Sequence, residues 1–222
     1  GYTFMDRKLD RETNQDTTSE PEESFKLSDV KVILSNKGFW LIALLCVLFY
    51  SCVFPFLKYA TDLMVNKFNV DIKLAGIIPG LLPFGTILLT PLFGGIYDKK
   101  GRGASIMILG AVILLMVHVI FTIPFLNNWI LAVVLMIVLG ISFSLVPSAM
   151  WPSVAKIIPE KQLGTAYALI FWIQNIGLMG VPFAVGKVLD AFCKVERPDG
   201  SIGYDYTLVM FLFSLLAALS IF

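Results

Sequence analysis

Six long apolar segments, near residues 38–59, 73–97, 104–125, 129–155, 163–190 and 205–222, leave this chain few ways to fold. About 20 apolar residues in a helix cross roughly 30 Å of hydrocarbon. The first five segments reach that length. The last runs 16 residues from Thr207 to Phe222, roughly 24 Å at 1.5 Å per residue, and is expected to be truncated, continuing past the end of the chain. Composition agrees: 57% of residues are hydrophobic and 15% charged, with mean hydropathy +0.82, where soluble domains stay near 45–50% apolar. The class is an all-α membrane protein.

The polar residues are concentrated at one end. Residues 1–37 carry mixed charge, from Arg7, Lys8 and Arg11 to Glu20, Glu22 and Glu23, and cannot bury enough apolar surface to fold alone. They read as a cytoplasmic linker, with Lys26–Leu34 as a short amphipathic helix on the membrane surface. Nothing there resembles a cleavable signal peptide, and the composition suits an internal piece of a longer protein. Lysine and arginine favour the side holding the N-terminus, the 98–103 loop and the 156–161 loop by eleven to six, which makes that side cytoplasmic. Net charge is +1, so composition gives no case for nucleic acid. The cysteines, Cys46, Cys52 and Cys193, form no disulfide framework and read as small packing residues.

Two fragments recur. Ser51-Cys-Val-Phe-Pro55 echoes Ser144-Leu-Val-Pro147, and Pro91…Gly94-x-x-x-Asp98 echoes Pro182…Gly186-x-x-x-Asp190. Spans one to three then match spans four to six. With three spans per unit the two units lie in opposite orientations, an inverted 3+3 repeat.

Polar, Pro and Gly residues inside apolar spans persist only where they face protein or a water-filled path. Pro147 and Pro152 each remove a backbone donor from span four. Trp151 between them reads as an interfacial anchor or as a cavity wall. Gln174 and Asn175 in span five either bond neighbouring helices or face a solute path, and Tyr50 and Ser51 in span one pose the same alternative. Thr165 reads as a helix cap. His118, the single histidine, reads as a structural hydrogen-bonding group before a proton relay. Lys58 and Asp62, four apart, read as a rim ion pair.

The loop Gly94-Gly-Ile-Tyr-Asp98-Lys99-Lys100-Gly101-Arg102-Gly103 joins spans two and three. Gly101 permits a tight turn, Asp98 can accept from a helix N-terminus or Arg102, and Gly94 lets another helix approach. The loop is either a conformational latch or an ordinary positive-inside connection.

This loop resembles the signature of the major facilitator superfamily, Gly-x-x-x-Asp-(Arg/Lys)-x-Gly-Arg-(Arg/Lys), at Gly94, Asp98, Lys99, Gly101 and Arg102. Gly103 stands where a second basic residue is usual. Lys26-Leu-Ser-Asp29-Val-Lys31, Val53-Phe54-Pro55-Phe56, Trp151-Pro152-x-Val154-Ala155, Gln162-Leu-Gly164-Thr165-Ala166-Tyr167 and Ile173-Gln174-Asn175-x-Gly177-Leu178 are similar to the branch typified by the lysosomal dipeptide uniporter. The resemblance implies the C-terminal six-helix bundle of a twelve-helix fold. It places span four, with Trp151, beside a central cavity, and gives the chain the N-terminal six-helix bundle and the lipid bilayer as partners. An accessory membrane subunit stays open.

The implied function is secondary transport of a small polar solute, dipeptides first, by alternating access, facilitated or proton-linked. Tyr50, Ser51, Trp151, Gln174 and Asn175 are the substrate-cavity candidates. The alternatives are a different solute, such as a sugar or organic anion, and a transport-inactive receptor or scaffold. An enzyme is not expected, because the central spans lack paired ionisable residues. No nucleotide loop, cofactor or metal cluster is evident. The membrane is the inner membrane if the source is bacterial, and otherwise lysosomal.

Overall fold

The computed structural model describes residues 27–197 and 200–221, excluding the side chains of Leu27 and Ser28. Most of the expected linker, residues 1–26, lies outside the described residues. The elements are α1 (Leu27–Leu34), α2 (Lys37–Phe68), α3 (Ile72–Ala75), α4 (Ile77–Lys100), α5 (Gly103–Thr122), α6 (Trp129–Ile157), a 3-10 turn (Glu160–Gln162), α7 (Leu163–Phe192), β1 (Lys194–Glu196), β2 (Ile202–Tyr204) and α8 (Thr207–Leu219). Helices α2, α4, α5, α6 and α7 are long and apolar enough to cross a membrane. Helix α8 has 13 residues, about 20 Å.

Local chemistry sets the helix ends. Asn36 caps α2 by accepting from Gly38 N (2.8 Å) and Phe39 N (3.3 Å), and its Nδ2 donates to Ile157 O at the end of α6 (3.1 Å). Asn69 closes α2 in the left-handed region (φ 53°), which Asn tolerates better than most residues. Asn128 caps α6 through Ile130 N (2.8 Å). Thr165 caps nothing: α7 starts at Leu163, with no side-chain cap at Gln162.

Helix α2 continues nine residues beyond its expected end near 59. Its apolar stretch marks the hydrocarbon, and tertiary bonds carry the helix further. Asp62 accepts from Tyr206 OH (2.6 Å) and Asn66 Nδ2 (2.8 Å). Lys67 Nζ donates to the Phe121 and Ile123 carbonyls at the end of α5. Asp62 is thus engaged by neutral donors, and the expected Lys58–Asp62 ion pair does not form. Asn66 Oδ1 also accepts from Arg197 and from Tyr204 N (3.0 Å), fastening the β1–β2 hairpin, which has Val195 opposite Gly203, to the end of α2. Periodicity in the sequence did not reveal this short hairpin.

Packing carries the inverted repeat. Helix α4 packs chiefly on α6, and its counterpart α7 packs on α2. Helix α5 packs on α6 as α8 packs on α2, while α2 meets α6 and α5 meets α8. Every one of these contacts maps onto another, or onto itself, when α2–α4–α5 is exchanged with α6–α7–α8. Helices α2 and α6 are therefore central, and α4 and α7 are flanking, with much of their surface uncovered. The core joins Phe39, Phe49 and Phe56 of α2 to Met136, Leu139 and Met150 of α6 and Phe213 of α8, all fully buried. Cys46, Cys52 and Cys193 are free and buried. Burial pushes the Cys193 thiol, in the loop after α7, above its ordinary pKa.

Candidate functional site

Residues four apart share a helix face, and three helices place aromatic rings four or eight residues apart. Tyr50 and Phe54 stand on α2, Phe143, Pro147 and Trp151 on α6, and Tyr167 and Phe171 on α7. The rings converge. Tyr50 lies 5.6 Å from Phe143 and 6.4 Å from Trp151, centroid to centroid. Phe54 meets Phe143 edge-on at 5.5 Å, and Trp151 meets Phe171 at 4.9 Å and Tyr167 at 5.8 Å. Such pairs each contribute about 0.5–1.5 kcal/mol beyond area burial. Tyr50 is buried, Phe143, Trp151 and Tyr167 are half-buried, and Phe54 and Phe171 are 40% and 47% exposed. The result is an aromatic cluster with its exposed edge along Phe54 and Phe171, here termed the aromatic cleft.

Its polar atoms largely serve the protein itself. Trp151 Nε1–H donates to Tyr50 OH (3.3 Å), and Tyr167 OH donates to Trp151 O (3.1 Å). Asn175, one turn past Phe171 and exposed, donates through Nδ2 to Phe171 O (2.8 Å), which leaves its Oδ1 as an acceptor. Pro147 has no N–H, so the Phe143 carbonyl lacks its intrahelical donor.

The five sequence candidates divide. Tyr50, Trp151 and Asn175 belong to the cleft. Ser51 and Gln174 instead face the α2–α7 seam. Gln174 Oε1 accepts from Cys46 Sγ (3.2 Å). Ser51 Oγ is buried and, among the described residues, has no hydrogen-bond partner; it sits where a Cβ on Gly177 would collide with it and come within 2.6 Å of Val47 Cγ2. Phe54 and Tyr167 stand in the motifs that carry the family resemblance but not among the cavity candidates, and Phe143 and Phe171 are in neither set. Their signal was the four- or eight-residue spacing on three separate helices, invisible until those helices are placed side by side.

The 94–103 segment is not a loop over its length: α4 continues through Lys100 and α5 starts at Gly103, so that Gly101 and Arg102 alone connect them, and Tyr97, which the sequence does not single out, holds this end. Tyr97 is buried, its hydroxyl 3.3 Å from Ser153 Oγ of α6 and its ring 4.4 Å from Lys156 Nζ. A Cβ on Gly103 would lie 2.7 Å from the Tyr97 ring and 3.0 Å from Ser153 Oγ, so a basic residue there would displace Tyr97. Gly101 makes the turn at φ 77°. Asp98, Lys99, Lys100 and Arg102 are exposed, and among the described residues Asp98 forms no ion pair with Arg102. Gly94 has open space beside it.

His118 lies on another side of α2, between Phe56 (5.1 Å) and Phe213 (5.4 Å). Neither ring nitrogen meets strict hydrogen-bond geometry among the described residues, but the ring lies beside the Cys52 backbone of α2, so its setting is structural, held by ring packing and this polar neighbour. Among the described residues no group of three or more His, Cys, Asp or Glu is placed to hold a metal ion.

Comparison with known proteins gives a match to the Major Facilitator Superfamily family model over residues 4–182. The lysosomal dipeptide transporter MFSD1 of Danio rerio is 35% identical over 187 residues, covering 84% of this chain and 39% of that protein. MFSD1 of Gallus gallus is 35% identical over 168 residues, covering 76% and 37%. MFSD1 of Homo sapiens is 32% identical over 188 residues, covering 85% and 39%. The chain thus spans well under half the length of these relatives.

Proposed function

This chain belongs to the major facilitator superfamily, and from that premise we propose that it is the C-terminal bundle of a secondary transporter that moves dipeptides across a membrane by alternating access. The solute would bind in the aromatic cleft, between this integral multi-pass bundle and an N-terminal six-helix bundle, as the two rock against each other. The observation that carries the reading is the convergence of partly exposed aromatic rings from α2, α6 and α7, with polar tips at Tyr50, Trp151 and Tyr167, where the two central helices meet. The relatives named as dipeptide transporters support the solute class.

The cleft's chemistry bears on the rival solutes. A sugar needs many hydrogen-bonding partners, yet the Trp151 and Tyr167 donors and one Asn175 N–H are spent inside the protein, which leaves the Tyr50 O–H, the second Asn175 N–H and Asn175 Oδ1. A dipeptide carries apolar side chains that ring faces can cover. Its ammonium would find its partner on the N-terminal bundle, since the cleft holds no carboxylate. No catalytic step is proposed, and nothing in the cleft calls for a cofactor. Of the two membranes left open by the sequence, the lysosomal one is supported by the relatives' names.

The test is thermal stabilisation of the full-length protein against dipeptides, single amino acids, sugars and organic anions. A ligand that binds the folded state raises its apparent stability by mass action. A selective rise with dipeptides is expected. A rise with another class alone would keep the fold and reject the solute.

A further inference from the structure

Helix α2 carries its cleft stripe one turn further: Tyr50, Phe54 and then Lys58 stand at successive four-residue steps. Lys58 is exposed, and among the described residues it makes no ion pair or hydrogen bond. The carboxylate expected to neutralise it, Asp62, is occupied by Tyr206 and Asn66. The other lysine toward this end of the flanking helix, Lys187, rests over the Phe183 ring at 5.6 Å and lies 16 residues beyond Phe171, about 24 Å along α7.

We infer that Lys58 binds the carboxylate of the solute at the non-cytoplasmic mouth of the cleft. Lys58 lies about 12 Å along the helix from Tyr50, and an extended dipeptide spans about 7 Å, so one end can reach Lys58 while a side chain rests on Phe54 and Tyr50. Side chains on a helix lean toward its N-terminus, so the exposed Lys58 side chain is free to swing toward Phe54 when a solute is bound. If the N-terminal bundle closes over this mouth and excludes water, an ammonium–carboxylate contact there becomes stronger than at an open surface. The ordinary alternative is a lysine reaching a lipid headgroup, which would make no distinction among solutes.

This inference rests on the dipeptide reading, and its test separates the two. Full-length wild type, Lys58→Gln and Lys58→Arg are titrated with Leu-Ala and with its C-terminal amide, reading affinity from thermal stabilisation. Wild type should favour the free acid by about tenfold or more, the range for a hydrogen bond to a charged group. Lys58→Gln should bring the ratio close to one, and Lys58→Arg should retain most of it. A Lys58→Gln protein that binds both ligands with the wild-type ratio overturns the role of Lys58 and leaves the dipeptide reading standing. A wild type that responds to no dipeptide overturns both. Lys58 is exposed, so neither substitution disturbs the core.

Discussion

Trp151 donates its indole N–H to the Tyr50 hydroxyl at 3.3 Å, tying the two central helices together at the floor of the aromatic cleft. Tyr50→Phe keeps the ring and removes the acceptor. It should cost about 1 kcal/mol, seen as a fall of a few degrees in the detergent melting midpoint, with solute affinity reduced less than by Trp151→Ala. Trp151→Ala strips a ring from contact with Tyr50, Tyr167 and Phe171 and should lower stability by about 2–4 kcal/mol. Equal melting midpoints for the two variants would argue against this packing.

The α2–α7 seam makes a second prediction. Ser51→Ala removes a buried hydroxyl that has no partner among the described residues and should be neutral or stabilising by up to about 1 kcal/mol. Gly177→Ala pushes a methyl against Ser51 and Val47 and should destabilise by about 1–3 kcal/mol. Melting curves of both variants test the seam. Loss of transport in a stable Ser51→Ala protein would instead return Ser51 to the solute path.

At the end of the bundle where Gly101 and Arg102 join α4 to α5, Gly103→Arg restores the residue type usual in the superfamily signature but meets the Tyr97 ring. It should destabilise the wild type and be better tolerated beside Tyr97→Ala, because the colliding ring is gone. A double-mutant cycle on melting midpoints measures that coupling. Strict additivity would contradict the Tyr97–Gly103 contact.

At the opposite end, Asn66 bonds Asp62, Arg197 and Tyr204 N at once. Asn66→Ala should free the β1–β2 hairpin from α2 and speed proteolysis within residues 194–204, while the spans stay protected. Unchanged cleavage would mean that the hairpin holds itself in place.

How far the sequence could be read follows from these same residues. Apolar length located the helices, because hydrocarbon thickness sets it, and Gly94, Asp98 and Gly101 pointed to the superfamily. Apolar length could not show that α2 runs on to Phe68, since polar side chains such as Asp62 and Lys67 hold that extension through distant partners. Tyr50 and Trp151 were legible as polar-tipped aromatics inside spans. Phe54, Phe143 and Phe171 were not, because a phenylalanine in a membrane helix looks the same facing lipid, core or cleft. Ser51 and Gln174 passed as cavity residues for the converse reason: a polar group in a span is also what a close helix seam can hold.

The central claim is that the cleft on α2, α6 and α7 carries a dipeptide across the membrane. The most direct measurement is uptake of a labelled dipeptide into proteoliposomes holding the full-length protein, wild type beside a folded Trp151→Ala variant. The account predicts saturable uptake by wild type, reduced about tenfold or more when the ring is removed. Equal uptake by the two proteins, or a wild type that carries a sugar and no dipeptide, would contradict it.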